Sequence, residues 1–334
     1  MADIDFSTPR WLVNYYHLIG AVSLVLDAFS IYLILFKSSK IDNFRYFLLN
    51  FQIACSLTDI QLTLMMQPIP LYPLVAGFSV GLMPTHLGVS TQMCLVIVIF
   101  LMMYHISSMT FCFVRKHQAI ADALKRFSLP NTLIFALFLF LVLFTSAVPG
   151  LMYTVGMTPE EQIDYIRENY PQYIPGFDSL QSFAIYDANI HFIAVVSFAV
   201  SGGLIVFLIF LLVLLNIFRM LRLLKRKISA SNYRKHQTAI RSLVAQFATS
   251  SVFMVPSIFF YFVVLVGVPH AQVIVEFLLV LACLHSSLNA LVLVITFPPY
   301  RKFVIHFVLR REDPVMLGLS VISAKPFIKY TGHE

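Results

Sequence analysis

Few residues in this chain have chemistry to offer. Three carboxyls, Asp27, Asp59 and Glu276, fall inside long apolar stretches. A charge at the centre of such a stretch costs about 2.5–3.5 kcal/mol on insertion scales, so each should face a bundle interior or water. Asp59, in Ser56-Leu57-Thr58-Asp59, can join a polar network with Asn289 that holds a sodium ion or a proton; it can equally be a satisfied structural carboxyl. Asp27 reads as a packing residue. Glu276 can meet a cationic ligand or reach headgroup water. His105 and His285 lie deep. His86, His191 and His270 sit on three separate segments, without the i, i+4 spacing of a helical metal pair. Tyr153, Phe192, Phe259, Tyr261 and Phe262 approach one end of the stretches and can wall a pocket. No nucleotide-binding Gly-rich loop, His-Glu-x-x-His or Gly-x-Ser-x-Gly occurs, so the chain carries no catalytic signature and implies no cofactor.

These residues need elements to hold them. Apolar stretches run through 12–36, 44–67, 87–114, 133–155, 190–217, 243–266 and 272–297. Each has roughly 25 residues, and at about 1.5 Å of helix rise per residue each crosses a hydrocarbon core of about 30 Å. Backbone polar groups find no water there, so a spanning segment of this length must be helical. The chain is 59% hydrophobic and 12% charged, where soluble domains carry about 25% charged residues. The predicted fold is an all-α membrane protein, a seven-transmembrane helix bundle. Residues 1–11 form one tail, 12–311 the membrane domain and 312–334 the other tail. The longest connection, 156–189, is too short for an enzyme domain.

The formal net charge of +7 does not point to nucleic acid, because the cations are sorted by side. Of the 23 Lys and Arg, 21 fall on one side of the predicted bundle; only Arg10 and Arg167 fall on the other. Cytoplasmic loops carry such an excess. The amino terminus is therefore predicted outside and the carboxyl terminus in the cytoplasm, with anionic inner-leaflet lipids as partners. Arg219, Arg222, Lys225 and Arg226 recur every three or four residues, so the fifth span runs on as a basic helix. That helix either attracts headgroups or docks a cytosolic protein. Residues 300–311, after Pro298 and Pro299, read as a short amphipathic helix at the membrane surface. The first stretch is too long for a signal h-region and its flank carries Asp3 and Asp5, so no cleavable signal is expected.

Punctuation agrees with these spans. Pro68, Pro70 and Pro73 stop the second, Pro130 opens the fourth, and Pro269 separates the sixth from the seventh. Pro256 falls inside the sixth, where it removes an internal hydrogen bond and should kink the helix. Thr158-Pro159-Glu160-Glu161 reads as a helix start, with the helix reaching about Asn169 over the bundle mouth; a solvated acidic loop is the other reading. Cys55, Cys94, Cys112 and Cys283 all lie inside spans and read as small apolar residues, not a disulfide framework.

Several runs carry a family resemblance. The first span leaves the membrane through Ile31-Tyr32-Leu33-Ile34-Leu35-Phe36-Lys37-Ser38. The second contains Phe51-Gln52-Ile53-Ala54-Cys55-Ser56-Leu57-Thr58-Asp59-Ile60 and exits in Met66-Gln67-Pro68-Ile69-Pro70-Leu71-Tyr72-Pro73. The third ends in Phe113-Val114-Arg115-Lys116-His117-Gln118-Ala119-Ile120, and the seventh holds His285-Ser286-Ser287-Leu288-Asn289 before Pro298-Pro299-Tyr300-Arg301. From about residue 10 to 311 the chain resembles the nematode serpentine chemoreceptors, class I or its close relative class H, within the G-protein-coupled receptors. The resemblance implies sensing of a small-molecule cue at the plasma membrane of a sensory cilium. It also implies coupling to a heterotrimeric G protein. Arg115 stands where such receptors keep a coupling arginine, Arg219 and Arg222 extend that surface, Tyr300 stands near their seventh-span tyrosine, and Pro256 is the hinge of the sixth span. Tyr153, Phe192, Tyr261 and Glu276 are the expected ligand contacts. Arg115 follows Val114, where the wider rhodopsin-like pattern has an acidic residue, and the outer loop lacks a cysteine for the usual disulfide. Two other functions stay open: a ligand-gated channel or small-molecule transporter, and a membrane hydrolase in which Asp59, His105 and His285 converge on a metal.

Overall fold

A helix that is apolar on every side can be surrounded only by lipid or by other helices. That condition organises most of this chain. A computed structural model describes residues 4–37, 44–266 and 272–309. For 235, 252–258, 260, 261, 263–266 and 307–309 it describes the backbone alone. Pro269 and the tail 312–334 lie outside the described residues.

The first span is α1 (Arg10–Phe36). α2 (Phe44–Ile60) continues as a π-helical turn, Gln61–Met66, and stops at Gln67, which is left-handed with φ 49°. The Gln67 amide donates to the Leu62 carbonyl at 3.1 Å and its side chain to the Thr63 carbonyl at 2.8 Å, which closes the helix end. Strands β1 (Pro68–Pro70) and β2 (Ala76–Ser79) follow, then the short helix α3 (Leu82–His86). α4 (Thr91–Leu124) is capped by the Ser90 hydroxyl, which accepts from Met93 N at 3.2 Å. α5 (Asn131–Thr154) opens after Pro130. The connection that follows α5 holds α6 (Pro159–Asn169), α7 (Ile174–Asp178) and β3 (Phe183–Ile185). α8 (Ile190–Leu224) is capped by Asn189 Oδ1, which accepts from Phe192 N at 3.0 Å. α9 (Ala230–Val266), α10 (Gln272–Thr296) and α11 (Pro298–Leu309) complete the chain. Pro298 and Pro299 cannot continue α10 but suit a first helical turn.

α1, α2 with its π turn, α4, α5, α8 and α10 are each long and apolar enough to cross a membrane. α9 supplies the remaining span, the sixth in chain order, with a polar, basic beginning. α4 packs against α2, α5 and α8, and α10 packs between α9 and α1. Leu133, Phe135 and Phe138 on α5 and Leu204, Leu212 and Leu215 on α8 are exposed. An apolar belt of that extent fits hydrocarbon, not water. Inside, small residues let backbones close up: a Cβ on Gly20 would lie 2.7 Å from Thr63 Oγ1, so α1 meets the π turn at near-backbone distance.

The structure departs from the sequence expectations in three places. α9 begins at Ala230, well before 243, because hydropathy marks only its membrane part and the polar residues ahead of it are helix-compatible. α4 begins at Thr91 and not at 87, since Gly88 takes φ 65° and breaks the chain from α3. The prolines after the second span also build a strand. The sheet runs β1-β2-β3, all antiparallel, with Ile69 opposite Phe78 and Gly77 opposite Ala184. Pro68 and Pro70 are tolerated because β1 is an edge. A Cβ on Gly77 would lie 2.9 Å from the Ile69 carbonyl oxygen, so glycine is required for the two strands to meet.

Candidate functional site

At the basic end the bundle is closed by aromatic packing and a few side-chain ties. Phe113 of α4 meets Phe210 of α8 edge-on at 4.5 Å between centroids, and Phe210 stacks on Phe247 of α9 at 3.9 Å. His117 and Asn216 are hydrogen-bonded at 3.0 Å, tying α4 to α8. Thr296 donates to Ser242 Oγ at 2.5 Å, tying α10 to α9. Around this plug stand the cations. Arg115 is exposed, its guanidinium 5.7 Å from the Phe47 centroid; Arg219 is exposed and lies 5.6 Å from the Phe127 centroid. Arg222 is exposed as well. Tyr300 is fully buried among Leu33, Leu48, Leu293 and Phe297. Lys37 lies 4.5 Å from the Phe303 centroid, holding α11 against the exit of α1.

The middle of the bundle is polar. Asp27 of α1 accepts from Gln52 Nε2 of α2 at 3.1 Å and from Ser286 Oγ of α10 at 2.7 and 2.8 Å. Ser23 and Ser287 pair at 2.6 Å beside it. Asp59 is buried, and its Oδ1 has no hydrogen-bond partner. The expected link from Asp59 to Asn289 is not made. Asn289 donates to Ser250 Oγ at 3.0 Å and to Cys55 Sγ at 3.6 Å, and its Oδ1 accepts from the Thr249 hydroxyl. The reason is depth: Cys55 lies four residues before Asp59, about 6 Å along the helix, and Cys55 is the residue level with Asn289. His105 and His285 do converge, with ring centroids 5.5 Å apart. Their third neighbour is Cys55 and not Asp59, so the aspartate-containing metal set does not assemble.

The end opposite the cations is roofed. Ile69, Leu71, Phe78, Ile166, Phe177 and Ile185 form one apolar core that also takes in Ile4 of the amino tail. The expected helix over the mouth is present as α6. Glu161 N donates to Thr158 Oγ1 at 3.3 Å and Thr158 N to Glu161 Oε2 at 2.8 Å, a reciprocal cap. The roof is tied to the spans. Tyr16 donates to the Pro68 carbonyl at 2.9 Å. Gln272 donates to the Pro70 carbonyl at 2.7 Å and accepts from Tyr72 N at 2.7 Å. The Gln272 amide also donates to Glu276 Oε1 at 2.8 Å, so half-buried Glu276 stands just beneath the roof. Phe192 is buried against Tyr186 at 5.4 Å, and burial pushes the Tyr186 phenol up to about 12. Tyr153 is 54% exposed at the roof end of α5 and does not wall the interior; α5 turns its other side to α4 and α8. Tyr261 and Pro256 fall on α9 where the side chains lie outside the described set.

Asp27 as the carboxyl that joins three spans, and Cys55 beside two histidines, were not legible as sites in the sequence. The available signal was depth, since each lies near the middle of its span.

This architecture now has counterparts. The family model described as Serpentine type 7TM GPCR chemoreceptor Sri matches residues 2–304. Squid rhodopsin superposes with a TM-score of 0.60 at 11% identity, over 98% of this chain and 95% of that one; such an identity speaks for the fold alone. No curated protein matches the sequence. The fold is that of a seven-helix receptor of the G-protein-coupled type. The chain belongs to the serpentine type 7TM GPCR chemoreceptor family Sri.

Proposed function

We propose that the protein senses a small-molecule cue under its outer roof and passes the signal to a heterotrimeric G protein at its basic end. In this reading the amino terminus is outside, the carboxyl terminus is cytoplasmic, and the site of action is the plasma membrane of a sensory cilium. The observation that carries the reading is helix length. α8 has 35 residues and α9 has 37, about 52 and 55 Å at 1.5 Å per residue, where roughly 30 Å suffices to cross. The surplus of α8 carries Arg219 and Arg222, and that of α9 carries Arg234 and Arg241. Two helices projecting beyond the bilayer with exposed cations make a docking surface for an acidic protein face.

The cue contacts Phe192 and Glu276, with Tyr261 from α9, and favours a state in which α9 swings at Pro256. That swing must give up the Ser242–Thr296 and Thr249–Asn289 ties. Arg115 then meets the G protein, while Tyr300 keeps α10 and α11 fixed to α1. The test is a cue screen in cells carrying a promiscuous G protein. A cue-evoked second-messenger response that Arg115→Ala abolishes at normal surface level supports the proposal. Cue-evoked current across a bilayer of purified protein, with no G protein present, contradicts it and favours a channel.

A further inference from the structure

The middle of the bundle brings together a thiol and two imidazoles from three different spans: Cys55 on α2, His105 on α4 and His285 on α10. All three are buried, and one ligand atom from each lies within 4.8 Å of the others. His105 Nδ1 is 3.6 Å from Cys55 Sγ. A tetrahedral ion with bonds of about 2.3 Å to sulfur and about 2.0 Å to nitrogen holds such atoms roughly 3.6 Å apart. The surroundings orient the set. His285 Nδ1 lies 2.7 Å from the Ala282 carbonyl. That contact places the proton on Nδ1 and gives Nε2 the lone pair, the arrangement usual for an imidazole ligand. Asn289 Nδ2 is 3.6 Å from Cys55 Sγ and donates a hydrogen bond that stabilises a thiolate there. Phe51 packs edge-on to His105 at 5.1 Å and keeps the site dry.

We propose that Cys55, His105 and His285 form a binding site for one thiophilic closed-shell cation, Zn(II) or Cu(I). Thiolate with imidazole selects this class over hard cations. On binding, the Cys55 sulfur–hydrogen bond is lost, its proton goes to the medium, and a metal–sulfur bond replaces it. With Cu(I) the ion and thiolate are neutral together. With Zn(II) one positive charge remains on the site. A bound ion would fix α2, α4 and α10 at one point between the roof and the basic end.

The test uses the full chain purified in lipid discs, with metal content read independently of signalling. One arm is loaded with Zn(II) alone and one with Cu(I) alone under anaerobic conditions, each followed by dialysis. The expected result is about one ion retained per receptor in one arm, which identifies the ion. X-ray absorption of that ion on the unaltered protein should show one sulfur and two imidazole nitrogens. Cys55→Ser and His285→Gln should each lower retention at least tenfold, while Cys112→Ser should retain the ion. Retention well below one ion per receptor in both arms overturns the site, as does an absorption spectrum without a sulfur ligand. The spectrum needs no variant, so misfolding of a variant does not rescue or sink the proposal.

Discussion

At the roofed end Gln272 holds the β1–β2 hairpin through two main-chain hydrogen bonds, and Tyr16 adds a third; at the basic end Arg115 and Arg219 rest over the faces of Phe47 and Phe127. The roof is built from backbone pairing and a small apolar core of its own. The basic end is built from helices that outrun the membrane, packed through apolar side chains such as Phe113, Phe210 and Leu243 and tied by side-chain hydrogen bonds. Backbone pairing is hard to undo one bond at a time. Side-chain hydrogen bonds between helices are separately breakable, and apolar packing is non-directional. A molecule with one end paired through its backbone and the other packed through side chains can move at the second while keeping its shape at the first.

Perturbations can break that contrast or sharpen it. The largest effect is expected in the shared middle. Asp27→Leu strips a partner from Gln52 and Ser286, and each buried donor left unpaired costs about 1–3 kcal/mol. The midpoint of thermal unfolding of purified receptor should fall sharply, and the surface fraction with it. Next is Gln272→Ala, which removes the tie between α10 and the hairpin. It should cost about 1–3 kcal/mol locally, seen as faster hydrogen exchange at Tyr72 with no change at His117. Equal acceleration at both positions would show that the two ends are not independent. Thr158→Ala should cost about 1 kcal/mol through loss of the α6 cap, read as exchange confined to α6. Arg115→Ala should change stability by less than about 0.5 kcal/mol, as for an exposed site, yet abolish coupling. A stability loss comparable to that of Asp27→Leu would make Arg115 structural.

The spans were legible because the membrane imposes a length and a composition on each of them. The α6 cap was legible because Thr158 and Glu161 satisfy each other across one turn, a local relation. The sheet was hidden: β1 is three residues long with two prolines, and its pairing with β2 and β3 joins segments that sequence periodicity does not connect. Asn289 meets Cys55 and not Asp59 because hydropathy fixes the relative depth of two helices only to within about a turn. Tyr153 is exposed because hydropathy does not fix rotation about a helix, and rotation decides whether a side chain meets lipid, a neighbour or a cavity. The convergence of Cys55, His105 and His285 needs three rotations to be right at once.

Coupling to a G protein requires the basic end to face the cytosol. Separate epitope tags at the two termini, probed with antibody on intact and then permeabilised cells, test this directly. The amino-terminal tag should be stained on intact cells and the carboxyl-terminal tag only after permeabilisation. Staining of the carboxyl-terminal tag on intact cells would place the cations outside and contradict coupling to a G protein.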